Sequence, residues 1–346
     1  MMDIVVAPPS SQCLVDVWTA AAKCPSNISL SPALATGFIG QLLTTALLES
    51  AAELQVTLTD VIEPSIPPAS SQYANRITAV KSDLTDAQAI SSLLSTNFTA
   101  VYLLHGLMSG AAEAQSELGW KVNWDSHRAI LDHLKKHNPG VVTIFTSSLA
   151  VYGPASPTEV ITEMTGPIPL SNYGSQKLMV ETYLNNLSWK RLLDGRIVRL
   201  PTVIVRPGAP SAAASSFASG IIREPLKGER SVLPVPRDME MWVCSPRTVV
   251  KNLVLVKDVK DYAFGITRCV NLPGIRVTVQ EMLDALEAVG GSEATRLIDE
   301  SPDPKVAGIV ESWPANFDTS YAKELGMVPD AALVETVSAF ADSLKH

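Results

Sequence analysis

The sequence predicts an α/β fold in which a doubly wound parallel sheet is joined to a smaller α+β lobe. Apolar β-prone runs alternate with segments of helical periodicity over residues 28–205, and this alternation loosens afterwards. The chain of 346 residues is long enough for a sizeable core plus a second lobe. We therefore expect an atypical segment at 1–27, the sheet domain at 28–205 with a return near 245–272, and a mainly substrate-binding lobe at 206–346.

Five runs are expected to be buried parallel strands, because each is short, apolar and β-prone. They are LQVTLTD (54–60), RITAVKSD (76–83), AVYLLHG (100–106), VVTIFTSS (141–148) and RIVRLPTVIV (196–205). The run NISLSPAL is expected to supply the strand before them. Short connections between these runs favour right-handed crossovers and hence a parallel sheet.

The segments between the strands have the apolar spacing of helices. They are GFIGQLLTTALLES, DAQAISSLL, SELGWKVNWDSHRAILDHLKKH and YGSQKLMVETYLNNL. In the second half we expect a helix from Pro246 to Val256, a strand at CVNLP, a helix at VTVQEMLDALEAVG and a C-terminal helix from residue 330. This mixture is typical of a lobe that covers a cleft.

Charge and cysteine content exclude several classes of protein. The net charge of −8 without a basic cluster argues against nucleic acid and anionic membranes as partners. The four cysteines lack metal or redox spacing, so reduced, buried thiols are expected and no metal site is predicted. No apolar run reaches the roughly 20 residues of a membrane span, and the N-terminus is a poor signal peptide. A cytoplasmic location is expected.

The stretch SPALATGFIGQLL resembles the turn that opens a dinucleotide-binding domain of the Rossmann type. Gly37 and Gly40 occupy the later two glycine positions, whereas Leu34 replaces the first glycine. Asp60 ends a strand twenty residues after Gly40, where an acidic side chain binds ribose hydroxyls and repels a 2′-phosphate. We expect Gly37, Ile39, Gly40 and Asp60 to bind NAD, with an affinity weakened by Leu34.

The motif SDLTD follows the next strand. Asp83 and Leu84 are candidates for holding the adenine edge of the cofactor. An equally acceptable interpretation is that Asp83 or Thr85 caps the following helix.

The strongest group of chemical residues lies in the middle of the chain. A buried strand ends at Ser147 and Ser148, and Tyr173 follows in SNYGSQK with Lys177 one helical turn later. A tyrosine has an ordinary pKa near 10, so its use as a base needs a nearby cation, which Lys177 is expected to supply. Ser148 would hold the substrate oxygen and Tyr173 would move its proton, with Ser147 beside the substrate.

Together, ATGFIG, Asp60, SDLTD, SSLAVYG and YGSQK resemble the extended short-chain dehydrogenase/reductase family of the NAD-dependent epimerase/dehydratase type. Within it, the run at 199–229 and MWVCSPRTVVKNLV are similar to the substrate lobe of the D-erythronate dehydrogenase group. The resemblance implies the catalytic set Ser148, Tyr173 and Lys177, with NAD at the glycine turn. It also implies a 2- or 3-hydroxy acid substrate and, commonly, a homodimer through the helix that carries Tyr173.

The same resemblance suggests further roles. Asn123 is expected to hold a backbone bend and a water under the active site. His105 stands where a small residue that lines the dinucleotide is expected, so it is a candidate cofactor contact. A buried structural histidine is the commoner case, and a new catalytic base is the other alternative, because His105 lies at a strand's carboxyl end. Arg206, Arg223 and Arg247 are candidate carboxylate binders, because a guanidinium fork matches a carboxylate, with Arg223 preferred.

Three functional hypotheses follow from these residues. The first is an NAD-dependent oxidoreductase that acts on a secondary hydroxyl of a small sugar acid or related polyol acid. The second is a redox-silent isomerase, dehydratase or cyclase that keeps the Tyr/Ser cleft for acid–base work, since the glycine turn is degenerate. The third is a non-catalytic binding module, which would not need Ser148, Tyr173 and Lys177 together.

Overall fold

The computed structural model describes residues 12–16, 37–211 and 213–345. Its centre is a seven-stranded sheet in the order β10-β6-β5-β4-β1-β2-β3, and every neighbouring pair in it is parallel. The strands of this sheet are β1 (Gln12–Asp16), β2 (Gln55–Asp60), β3 (Ile77–Lys81), β4 (Ala100–Leu103), β5 (Val142–Ser148), β6 (Asp194–Leu200) and β10 (Cys269–Asn271). The predicted doubly wound α/β fold class is confirmed.

Helices flank this sheet and follow the predicted segments closely. They are α1 (Phe38–Ser50), α2 (Ala87–Leu93), α3 (Ser109–Ala114), α4 (Ser116–Trp120), α5 (Ser126–His137), α6 (Asn172–Trp189) and α8 (Pro246–Asp258). A π-helical turn, Lys121–Asp125, joins α4 to α5 in one continuous helical segment. The whole of this segment, 116–137, was predicted as a single uninterrupted helix.

Side chains of the strands alternate between two cores, one on each face of the sheet. In β4, Ala100 and Tyr102 pack with Leu43 of α1 and Leu253 of α8. The intervening Val101 and Leu103 pack on the other face with α2, α5 and α6. This two-residue period is the pleat of a strand covered on both sides, which explains why the strands read as unbroken apolar runs.

The central strand β1 was not predicted from the sequence. Gln12–Asp16 pairs with β2 on one side and β4 on the other, with Cys13 opposite both Val56 and Ala100. These residues belong to the segment 1–27 that was predicted to lie outside the sheet domain, and the strand predicted in NISLSPAL lies outside the described residues. Residues 17–37 separate β1 from α1, whereas a βα loop usually has two to six residues. Because of this distance along the chain, the sequence gives no sign that β1 and α1 belong to one βα unit.

The predicted strand 196–205 is divided between two sheets at Pro201. Strand β6 ends at Leu200, and β7 (Thr202–Val203) pairs instead with β9 (Glu240–Cys244) in a three-stranded sheet that also contains β11 (Ile275–Thr278). A proline lacks the N–H that a central strand must donate, so the chain leaves the large sheet there.

The smaller lobe has its own core. Its remaining elements are α7 (Ser216–Leu226), β8 (Ser231–Leu233), α9 (Val279–Thr295), β12 (Ile298–Glu300), α10 (Pro304–Val310) and α12 (Leu333–Ser343). Helix α11 (Ser320–Glu324) instead buries Ala322 in the core of the large sheet, together with α1 and α8. Side chains of α7, α9 and α12, such as Ile221, Met282 and Val337, form one buried cluster. By contrast, α8 packs against α1, and β10 pairs with β6 in the large sheet. The chain therefore returns from the lobe to the large domain over α8 and β10.

Among the described residues, Cys13, Cys244 and Cys269 are buried free thiols. Burial raises the pKa of Cys13 to about 11 and that of Cys269 to about 12. These thiols are therefore protonated, unreactive core residues at neutral pH. In the same part of the chain, no helix has the length and apolarity to cross a bilayer.

Candidate active site

The carboxyl end of β5 provides the first residue of the site. Ser148 is the last residue of the strand, and its Oγ accepts a hydrogen bond of 3.1 Å from the backbone N–H of Ala150, capping a short 3₁₀ turn, Leu149–Val151. This turn lies at the edge of a parallel sheet where ligands bind in doubly wound folds. The preceding Ser147 is buried, and its Oγ has no hydrogen-bond partner.

Helix α6 brings Tyr173 to this turn. The helix begins at Asn172, and Ser171 caps it by accepting a hydrogen bond of 3.0 Å from the N–H of Gly174. A Cβ on Gly174 would overlap the carbonyl oxygen of Ala150, so glycine is required for the helix to approach the turn. The result is a hydrogen bond between the side chains of Tyr173 and Ser148.

The ionisation of Tyr173 differs from the prediction. Burial raises the pKa of Tyr173 to about 12, while the hydrogen bond with Ser148 and the charge of Arg206 act in the opposite direction. The expected cation, Lys177, lies 5.7 Å from the centre of the ring but does not bring the pKa of Tyr173 down to neutrality. Without a ligand Tyr173 is therefore a protonated phenol at neutral pH, placed to donate a proton before it can accept one.

Lys177 is buried one helical turn after Tyr173. Its Nζ donates a hydrogen bond of 2.9 Å to the carbonyl of Thr146 and lies 5.7 Å from the centre of the Tyr173 ring. A Cβ on Gly106 would stand 3.4 Å from this Nζ, so the backbone there packs tightly on the ammonium. The structure thus brings Ser148, Tyr173 and Lys177 together, with the ammonium held toward the strand.

Asn123 lies in the π-helical turn beneath these residues. Its amide group receives a hydrogen bond of 2.6 Å from the N–H of Leu107 and donates one of 3.0 Å to the carbonyl of the same residue. Its Nδ2 also donates to Oε1 of Gln176 at 2.7 Å. Asn123 therefore fixes the bend after β4, and π-helical turns of this kind are frequent at functional sites. Gln176, which precedes Lys177, was not predicted.

His105 lies behind Lys177 rather than on the cavity wall. Its Nε2 is 2.7 Å from Oγ of Ser126, and because that hydroxyl donates to the carbonyl of Val122, Nε2 must carry the hydrogen. The ring stacks on His127, with centres 3.7 Å apart and planes at 7°. Burial, followed by the nearby His105 and Lys177, holds the pKa of His127 well below its usual range. His127 was missed, although it follows Asn123 by one helical turn.

The predicted cofactor residues lie at the same edge of the sheet. Gly37 precedes α1, whose first turn has no acidic residue and no side-chain cap, and Ile39 contributes to the catalytic cavity. Asp60 is fully buried at the end of β2, and its Oδ1 accepts a hydrogen bond of 3.4 Å from the N–H of Ile62. A bare helix N-terminus beside a carboxylate suits a pyrophosphate and a ribose, so these residues fit NAD. Leu34 lies outside the described residues.

The adenine candidates, Asp83 and Leu84, follow β3 and differ in exposure, since Asp83 is exposed and Leu84 is buried. Oδ1 of Asp83 accepts hydrogen bonds from the N–H and the hydroxyl of Thr85, at 2.9 and 2.8 Å, and Leu84 is buried in the core beneath β4. Helix α2 is capped by Asp86, whereas Asp83 or Thr85 was the predicted cap. The N-cap of α2 is therefore Asp86, the aspartate that immediately precedes the helix.

One cavity of about 190 Å³ joins the catalytic residues to the lobe. Its wall includes Ser147, Ser148, Tyr173 and Lys177 from the large domain and Arg206 from the segment after β7. Trp313, which follows α10, also lines it, and no short motif in the sequence could have identified this residue. In the described ranges, no three His, Cys, Asp or Glu side chains cluster as a metal site.

The three lobe arginines have different positions. Arg223 is buried, pairs with Glu224 and donates a hydrogen bond of 2.8 Å to the carbonyl of Arg206, so it does not reach the cavity. Arg247 is exposed on the first turn of α8 and lies off the cavity wall. Only Arg206 lines the cavity, and no carboxylate in the described part of the chain pairs with it. The preferred carboxylate binder, Arg223, therefore contacts protein groups instead.

Comparison with known proteins agrees with this geometry. The profile of the NAD dependent epimerase/dehydratase family matches residues 35–266. The chain is 39% identical to a D-erythronate dehydrogenase of Cupriavidus necator over 83% of its own length and 87% of the relative's. It is 36% identical to a D-erythronate dehydrogenase of Haemophilus influenzae over 88% and 96%, respectively.

Two solved structures show the same overall fold. A nucleoside-diphosphate-sugar epimerase from Agrobacterium tumefaciens superposes with a TM-score of 0.83 at 30% identity and covers 95% of this chain and 92% of that protein. A UDP-glucose 4-epimerase from Thermus thermophilus in complex with NAD gives 0.77 at 18% identity, over 96% and 99%. The second likeness is one of fold alone.

Proposed function

The chain belongs to the NAD dependent epimerase/dehydratase family, and from this premise we propose that it is a dehydrogenase of a small sugar acid. The family makes it an NAD-dependent enzyme of the dehydrogenase/epimerase type. The proposed reaction interconverts a secondary hydroxyl of a sugar acid or related polyol acid with the corresponding ketone. The acid named in the relatives, D-erythronate, is the first candidate substrate.

The observation that carries this proposal is the shared cavity of Tyr173, Ser148 and Arg206. Burial lowers the pKa of Arg206, and no carboxylate of the described chain offsets the cost of burying its charge. A guanidinium fork matches a carboxylate in two parallel hydrogen bonds. A substrate with a carboxylate would supply the missing partner, and Arg206 therefore replaces Arg223 as the proposed carboxylate binder.

The size of the cavity supports a small substrate. Its volume of about 190 Å³ is below the roughly 300 Å³ at which pockets for drug-sized ligands begin. A four-carbon acid suits such a space better than a nucleotide sugar.

The residues would act as follows. Ser148 hydrogen-bonds the reacting oxygen, and the phenolate of Tyr173 takes the hydroxyl proton in the oxidative direction, while the phenol returns it in the reductive one. Lys177 and Asn123 hold the base of the site through Thr146 and Gln176. When bound at Gly37 and Asp60, NAD supplies the hydride acceptor.

The test is NADH formation by the purified protein with D-erythronate, other four-carbon hydroxy acids and the neutral polyol erythritol. We expect turnover of an acid and little turnover of erythritol. The variant Arg206→Met should raise the KM for the acid by about tenfold or more, because a charge-assisted contact is lost. Absence of NADH formation with every acid, or equal rates with erythritol, would exclude the proposal.

We further propose a cytosolic homodimer formed through α6. Supporting observations are the buried free thiols and the exposed apolar side chains of Ile168, Leu170 and Met179, on or just before this helix. Light scattering of the purified protein and of Leu170→Asp tests the dimer, which should dissociate in the variant. A wild-type monomer would contradict it.

A further inference from the structure

Arg206 and Tyr173 line the same cavity, and this proximity has a consequence for catalysis. We infer that Arg206 couples the ionisation of Tyr173 to the charge of the substrate, so that a bound carboxylate makes the tyrosine harder to deprotonate. The inference rests on the proposed function and adds a second role for Arg206. Arg206 thereby acts on the proton-transfer step through Tyr173 as well as on binding.

The position of Arg206 is fixed by its backbone. Its N–H donates a hydrogen bond of 3.0 Å to Oγ of Ser219, and its carbonyl accepts one of 2.8 Å from Arg223. Both partners belong to α7, so the residue is held against this helix from two sides. The backbone of Arg206 is therefore fixed beside the cavity that this residue lines.

The charge of Arg206 is not cancelled by its neighbours. Arg223, whose charge lowers the pKa of Arg206, is itself paired with Glu224. The mutual influence of Arg206 and Tyr173 is reciprocal: the cation lowers the pKa of the phenol, and the phenol raises that of the cation. Removing the net charge at Arg206 must therefore change the ionisation of Tyr173.

Few other groups face Tyr173. On its own helix is Lys177, whose ammonium is directed to the carbonyl of Thr146. From β5 comes the neutral Ser148, and from α3 comes Glu113, which accepts hydrogen bonds from Asn172. Lys177 also lines the cavity, but its ammonium is held by the carbonyl of Thr146. Arg206 lines the cavity with no acidic partner in the described chain, so a bound carboxylate can neutralise its charge.

The direction of the effect follows from the charges. The charge of an unpaired Arg206 stabilises the phenolate of Tyr173. An ion pair between Arg206 and a carboxylate has almost no net charge, so this stabilisation is lost. The pKa of Tyr173 is then higher in the complex with an acid than in the enzyme without it. A unit charge that acts across a small cavity, through an effective dielectric of about 20, corresponds to a pKa change on the order of one unit.

The test compares erythronate with its neutral amide, erythronamide, as substrates in the presence of NAD. For oxidation, kcat/KM reports the enzyme before substrate binds and kcat reports the complex. With erythronate we expect kcat to rise with pH at a value about one unit higher than kcat/KM does. With erythronamide the two profiles should coincide. Equal profiles for the acid and the amide would overturn the inference while leaving the dehydrogenase proposal intact.

Variants of Arg206 add a second comparison. Arg206→Met should move the rise of kcat/KM to higher pH and abolish the difference between the pH profiles of erythronate and erythronamide. Arg206→Lys keeps the charge and should preserve that difference. Arg296→Met, at an exposed arginine of the lobe, is the control and should behave as wild type. A wild-type pH profile in folded Arg206→Met would contradict the coupling.

A binding measurement covers the case in which Arg206→Met fails to fold. When a bound carboxylate raises the pKa of Tyr173, erythronate must bind with proton uptake at pH values between the free and bound pKa, and erythronamide without it. Calorimetry of the wild-type protein saturated with NAD, in buffers of different ionisation enthalpy, measures this directly. Identical proton uptake for the two ligands across the alkaline range would overturn the inference, whether or not either is turned over.

Discussion

At the scale of single residues, the account depends on Tyr173 as the group that moves the proton. Its side chain is hydrogen-bonded to that of Ser148, and Tyr173 lines the cavity. Burial raises the pKa of Tyr173, and the charge of Arg206 lowers it. The sequence predicted the three catalytic candidates and their order along the chain. It could not predict which cation acts on the phenol, because that depends on where the ammonium of Lys177 finds an acceptor.

Replacement of Tyr173 by phenylalanine tests this role. We expect Tyr173→Phe to reduce kcat by at least about 10²-fold, the usual effect of losing a positioned acid–base group. The fold should persist, since only a hydroxyl is removed, and melting temperature together with NAD affinity checks this. The exposed Tyr262 supplies a matched control in Tyr262→Phe, which should leave kcat unchanged. Full activity of Tyr173→Phe on the true substrate would contradict the mechanism.

The arginines illustrate a second limit of sequence reasoning. Arg206 and Arg223 both lie in the run that resembles a substrate lobe, and both carry the fork that binds carboxylates. Their difference arises in three dimensions, because Glu224 pairs with Arg223 while Arg206 meets the cavity without an acidic partner. Which arginine has a protein partner could not be read from spacing alone.

At the scale of secondary structure, helix α6 and the turn after β5 form the element pair that positions the chemistry. The approach of Gly174 to Ala150 sets their separation, with Pro169 also close. Both elements were predicted, since β5 is an unbroken β-prone run and α6 has helical spacing. The glycine contact between them was not, because it depends on tertiary packing.

Gly174→Ala tests the importance of this contact. The added methyl must push α6 away from the turn, so we expect a loss of about 1–3 kcal/mol in stability and a fall in kcat of about tenfold or more. Chemical denaturation and steady-state kinetics measure the two effects. Gly308→Ala in α10, where nothing lies within 4 Å of the new Cβ, should be neutral or stabilise by about 0.5–1 kcal/mol. Equal behaviour of the two variants would show that α6 does not need the close approach.

The order of elements was predicted better than their exact partners. Strand β6 ends before Pro201, and the next two residues pair with β9 in a separate sheet. This division was not predicted, because residues 196–205 form one continuous apolar run. Helices α9 and α12 were predicted from their periodicity, whereas α7, α10 and α11 were not predicted. Their shared core had no signature in the sequence, because it joins α7, α9 and α12 from positions far apart in the chain.

At the scale of the whole molecule, the sheet is completed by β1 at its centre. The side chain of Cys13 is buried in the core, and the environment that raises its pKa to about 11 disfavours any anion there. The sequence did not reveal this strand because residues 17–37 separate it from the helix that it precedes. The order of the sheet nevertheless requires it, since β2 and β4 pair with β1 and not with each other.

Cys13→Asp is expected to destabilise the whole domain. A carboxylate at this buried, unpaired position should cost about 3 kcal/mol or more in the free energy of unfolding. Gln55→Asp, at an exposed position of the neighbouring β2, should change it by about 0.5 kcal/mol or less. Denaturation curves of the two variants make the comparison. A mild effect of Cys13→Asp would mean that β1 is not a core strand.

The central claim, an NAD-dependent enzyme, is tested most directly by equilibrium titration of the purified protein with NAD and NADP. Asp60 is fully buried at the end of β2, where it would bind the ribose hydroxyls of NAD and repel the extra phosphate of NADP. We expect the protein to bind NAD with a Kd in the micromolar to millimolar range and NADP much more weakly. In Asp60→Ala, the difference between the affinities for NAD and NADP should be smaller. Folded protein that binds neither nucleotide would contradict the account and favour a redox-silent isomerase that uses the same Tyr173 and Ser148.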